Sequence, residues 1–91
     1  MENSSENRVY VDVNVDFDRY GRMFPRSIRW EDSRVYQIVR VIDMRPSYSQ
    51  KAGGQGDLYL IRVQGAEKHL YFERNGDSFS GSTGRWFMAR A

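Results

Sequence analysis

The residues of this chain that could do chemistry are arginines interleaved with aromatics. Arg26, Arg29 and Trp30 fall together, Arg34 precedes Tyr36, and Arg40, Tyr48, Tyr59, Arg62 and Tyr71 follow, with Arg85 beside Trp86. Guanidinium groups fork onto phosphates and stack on rings. Aromatic faces accept unpaired bases at about 1–3 kcal/mol each. Twelve of the 14 basic residues are arginine, which suits this chemistry better than lysine would. The expected contact set is Arg26, Arg29, Trp30, Arg40, Tyr48, Lys51, Tyr59 and Arg62, and the partner is DNA or RNA. Twelve acidic residues work against a uniform basic patch. The competing reading makes the aromatics a barrel core and the arginines its solvated rim. A separate alternative is a protein-interaction adaptor, gripping a partner by an edge strand or the 44–56 loop, with Tyr48, Tyr59 and Trp30 lining a groove.

Other constellations do not assemble into catalysis. The chain has no cysteine and a single histidine, His69. Thiol chemistry and thiolate metal sites are therefore excluded, and a nucleophile–base pair has no evident partners. Lys51-Ala-Gly-Gly-Gln-Gly-Asp57 could turn backbone N–H groups toward an anion. A phosphate loop, however, needs its lysine after the glycines and a helix behind them; here a strand follows, and the segment reads as a bulged connection. Asp16 and Asp18 are spaced like the start of a calcium loop, with Gly21 at the sixth position. The twelfth position is Ser27, where a bidentate glutamate is required. Glu31 and Asp32 read as turn formers. No catalytic residue, metal or cofactor is expected, and the chain is read as a non-enzyme.

The elements that position these residues are strands. Val9, Val11, Val13 and Val15 alternate with Tyr10, Asp12, Asn14 and Asp16, the period of a half-buried strand. A turn over 17–22 leads to a second strand, 23–31, with Pro25 near its start and Ile28 and Trp30 on one face. After a tight connection at 31–34, Val35–Asp43 is apolar on both faces and reads as a central third strand. Met44–Gly56, with Pro46 and three glycines, reads as the longest internal loop. A fourth strand, 57–64, sets Tyr59, Ile61 and Val63 against Leu58 and Leu60. A hairpin at Gly65–Ala66 gives a fifth, 67–74, with Leu70 and Phe72 opposite His69 and Tyr71. A loop over 75–84 precedes a short sixth strand, 85–89. No segment repeats apolar residues at helical spacing. The expected fold is all-β: a small five- or six-stranded barrel or rolled antiparallel sheet of SH3 or OB size, because a meander must close to hide its edges.

The chain has 91 residues, room for one domain. Residues 1–7, Met-Glu-Asn-Ser-Ser-Glu-Asn, are polar and read as a disordered tail; residues 8–91 form the β domain. No apolar run approaches the length that spans a bilayer. The tail is unlike a signal peptide, and a small domain without cysteine suits a reducing compartment. The expected location is cytoplasmic, without a membrane contact.

Several segments taken together resemble a family of short uncharacterised bacterial β-rich proteins. They are the valine alternation at 9–15, Pro25 followed by Ser27-Ile28-Arg29-Trp30, and Arg34-Val-Tyr-Gln-Ile-Val-Arg-Val41. Lys51-Ala-Gly-Gly-Gln-Gly-Asp57 with Leu58-Tyr59, then Leu70-Tyr71-Phe72-Glu73 and Trp86-Phe87, complete the set. The resemblance covers residues 9–88 and implies a compact β fold with no established activity. Two departures stand out: Ser33 sits at a tight turn where glycine is expected, and the 75–84 loop is longer than usual.

Overall fold

A computed structural model describes residues 8–49, 54–74 and 83–89, with backbone alone at 47–49, 54 and 55. The described residues form seven strands and no helix: β1 (Arg8–Phe17), β2 (Met23–Arg29), β3 (Val35–Gln37), β4 (Arg40–Ser49), β5 (Gly54–Val63), β6 (Ala66–Arg74) and β7 (Gly84–Ala89). They make one antiparallel sheet in the order β3-β2-β1-β7-β6-β5-β4. Among the described residues no helix is long and apolar enough to cross a membrane.

The sheet must curl, and the chain itself shows why. β3 and β4 lie at opposite ends of the strand order, yet only Ile38 and Val39 join them. Two linking residues span at most about 11 Å between flanking Cα atoms, so the two edges meet. The Ile38 amide donates to the Arg26 carbonyl of β2 at 2.8 Å, and the Val39 amide to the Arg62 carbonyl of β5 at 2.9 Å. The result is a half-barrel stitched across its seam.

This corrects the expected central strand at 35–43. It is a kinked crossing between the two edges, and Val35 and Val39 are 50% and 70% exposed. Counting the two halves separately raises the strand number to seven. The expected loop at 44–56 is also corrected: Met44–Ser49 pairs in register with Gly54–Tyr59, extending the β4–β5 hairpin. Pro46 and the glycines were poor guides here. β4 is an edge strand, where a missing N–H costs little, and Gly56 permits a close approach. A Cβ there would lie 2.0 Å from the Phe72 carbonyl oxygen.

The core follows the alternation. Val9 and Val11 of β1, Tyr59, Ile61 and Val63 of β5, and Leu70 and Phe72 of β6 are all buried, and Ile28 and Ile38 join them. Ile61 and Leu70 are wholly inaccessible; burying one such side chain stabilises the fold by about 1.5–3 kcal/mol. Trp86 and Met88 pack against this cluster from β7. The β5–β6 turn is Gln64–Gly65, with φ of 52° and 77°, because Val63 pairs directly with Ala66. Such two-residue turns match the twist of the strands they join.

Candidate nucleic-acid interface

The outer face of the sheet carries an aromatic row that register alone assembles. Tyr10 of β1 lies opposite Phe87 of β7, Phe87 opposite Tyr71 of β6, Tyr71 opposite Leu58 of β5, and Leu58 opposite Arg45 of β4. The rings cross three strands, and Leu58 and Arg45 continue the line over two more. The Tyr71 and Phe87 rings stack at 4.9 Å and 8°, and Tyr10 meets Phe87 edge-on at 5.7 Å. His69 lies 6.4 Å from Tyr71 and is exposed, on the face where alternation put it.

Arginines ride on these rings. The Arg8 guanidinium sits 4.5 Å from the Phe87 ring centre, and that of Arg85 is 4.5 Å from Tyr10. Glu73 holds the group together. Its carboxylate lies 3.5 Å from both Arg8 and Arg85 and accepts the Tyr10 hydroxyl at 3.1 Å. Phe72 and Glu73 are flanked by glycines on both sides. A Cβ at Gly84 would fall 2.4 Å from the Glu73 carbonyl oxygen and 2.5 Å from Cζ of Phe72, so this part of β6 requires small neighbours.

Further along the same face, Arg40 and Arg62 lie directly opposite one another, and Arg62 pairs with Glu67 at 3.2 Å. No ion pair among the described residues involves Arg40. Arg45 is held at 2.8 Å by Asp43. That bond, with the Met44 amide, keeps the exposed Asp43 carboxyl below its ordinary range. On the outer face of β4–β7 and the start of β1, five arginines (Arg8, Arg40, Arg45, Arg62 and Arg85) stand against three carboxylates (Asp43, Glu67 and Glu73).

The expected contact residues are only partly brought together. Arg40 and Arg62 share the face just described. Arg26 lies across the seam, its carbonyl bonded to the chain link that also reaches Arg62, and its guanidinium is paired with Asp16 at 2.7 Å. Arg29 is exposed on β2, opposite Asp12. Trp30 is half-buried against the core. Tyr59 is a correction: it is 3% exposed and belongs to the core, since it shares the inner face with Ile61 and Val63. Burial, then the nearby Asp57 charge, raises its phenol above the ordinary value. The Tyr48 side chain, Lys51, residues 1–7 and the greater part of the 75–84 loop lie outside the described residues.

Arg8, Tyr10 and Phe87 were missed. Alternation does put Arg8 and Tyr10 outside, but Trp86-Phe87-Met88 is apolar throughout and does not reveal which ring faces out.

The acidic residues weighed for a cation serve the chain. Asp18 accepts the Tyr20 and Arg22 amides at 2.8 and 2.9 Å and the Arg22 Nε at 2.6 Å. The Arg22 amide above all keeps its carboxyl low. Asp16 is paired with the Arg26 guanidinium at 2.7 Å.

Comparison with protein-family models, with curated proteins and with solved structures found no match. The resemblance drawn from the motifs therefore stands on those residues alone.

Proposed function

We propose that this chain is a non-enzymatic module that binds single-stranded nucleic acid on the outer face of its half-barrel. One observation carries the reading: Tyr10, Phe87 and Tyr71 form a continuous row on adjacent strands, with arginines at its ends and along its flank. Sheet faces of this kind stack bases on rings and neutralise phosphates alongside. The solvated side of an antiparallel sheet is ordinarily polar, so an aromatic row there asks for a partner with flat apolar faces. A cysteine-free chain acting on nucleic acid suits the cytoplasm.

The test is a fluorescence-anisotropy titration of labelled DNA and RNA oligonucleotides across a salt series. Saturable binding is expected, with log affinity falling linearly in log salt. Flat anisotropy at low salt would overturn the reading. The assignment would then move to protein interaction, which a second observation favours. From Asp12 onward β1 pairs only with β2 among the described residues, leaving an edge that an added strand could take.

A further inference from the structure

At one end of the half-barrel a cleft of about 410 Å³ opens between Trp30 and Tyr36 on one side and the β5–β6 hairpin on the other. Its floor is apolar, made by Ile28, Val63 and Met88. The volume lies in the range of small-molecule sites, about 300–1,000 Å³. Lys68 stands at its rim.

Lys68 faces inward at the cleft mouth. The alternation that buries Leu70 and Phe72 sets Lys68 on the inner face too, and its cross-strand partner is the inaccessible Ile61. Inward lysines can guard strand edges against unwanted pairing; β6 pairs with β7 only from Tyr71 onward, so among the described residues Lys68 lies on a stretch paired with β5 alone. No ion pair among the described residues uses Lys68. A solvated cation at the mouth of an apolar cleft adds little to stability by itself.

We infer that this cleft binds a small monoanion with a flat apolar body, its carboxylate on Lys68 and its rings against Trp30 and Tyr36. One cation selects one negative charge, which disfavours di- and triphosphates. The apolar floor selects the body, and Gln64, held by the tight hairpin turn, offers a further polar contact at the rim. This site is separate from the outer face and does not rest on the nucleic-acid reading.

A nuclear magnetic resonance titration of the full chain with 1-naphthaleneacetate and its neutral isostere 1-naphthaleneacetamide tests the assignment. Saturable shifts are expected at the Trp30 indole N–H and the Lys68 and Ala66 amides. The acetate should bind about tenfold more tightly than the amide, the worth of one charge-assisted contact. Lys68→Gln should bring the acetate down to the amide's affinity and leave the amide unchanged. Trp30→Leu should weaken both. Equal binding of the two probes with no effect of Lys68→Gln would overturn the proposal, as would shifts confined to Tyr71 and Phe87 or the absence of saturable shifts.

Discussion

The Tyr71 and Phe87 rings stack almost parallel, 4.9 Å apart, on the outer face of adjacent strands. A stacked pair outside the barrel does not share the core's reason for existing. It gains its cross-strand contact, worth about 0.5–1.5 kcal/mol, in a row whose Tyr10 end is 44% exposed. Phe87→Leu should therefore cost about 1 kcal/mol in stability but about 1–3 kcal/mol in single-strand affinity. Denaturant unfolding and anisotropy on the same variant separate the two effects. A loss of stability with unchanged affinity would make the pair structural only.

Glu73 restrains two arginines and a tyrosine at once. Glu73→Gln should destabilise the fold by about 1–2 kcal/mol through weakened hydrogen bonds while freeing positive charge on the outer face. Oligonucleotide affinity should rise, and its salt dependence should steepen by up to about one ion. Thermal melting checks the first effect and the salt series the second. Weaker binding in this variant would contradict the proposed face.

Ser33 has a φ of 72°, in a turn where the Ser33 amide donates to the Trp30 carbonyl at 2.9 Å and the Trp30 amide to the Arg34 carbonyl at 2.8 Å. A left-handed conformation costs an L-residue roughly 1–2 kcal/mol, and glycine escapes this at some cost in chain entropy. Ser33→Gly should stabilise the domain by about 0.5–1 kcal/mol, raising Tm by about 2–8 °C. An unchanged or lowered Tm would show that the turn relaxes around serine.

Tyr59 supplies a pH dependence with a definite sign. Its phenol titrates above the ordinary 10.0 because burial disfavours the phenolate. Above pH 10 the unfolded chain loses this proton first, so the folded state binds more protons and stability falls as pH rises. Tyr59→Phe should flatten that alkaline decline relative to the parent. Urea midpoints between about pH 9 and pH 11, bracketing the ordinary phenol value, would show it. An identical decline in both proteins would assign the loss to other groups.

The faces of β1, β5 and β6 were legible in the sequence, because a two-residue period is local. Val9 and Val11 alternate with Tyr10 and Asp12, Tyr59, Ile61 and Val63 with Leu60 and Arg62, and Leu70 and Phe72 with Tyr71. The buried set follows that sorting. Residue type pointed to Tyr59 as a contact, although its place beside Ile61 already turned it inward.

Only the tertiary structure decided which outer residues adjoin. Register between distant strands set Tyr10 beside Phe87 and Phe87 beside Tyr71, and the two-residue link at Ile38–Val39 brought Arg26 and Arg62 to opposite sides of one seam. Pairing partners far apart in the chain are chosen by the summed packing of the whole sheet, and no local pattern encodes that sum.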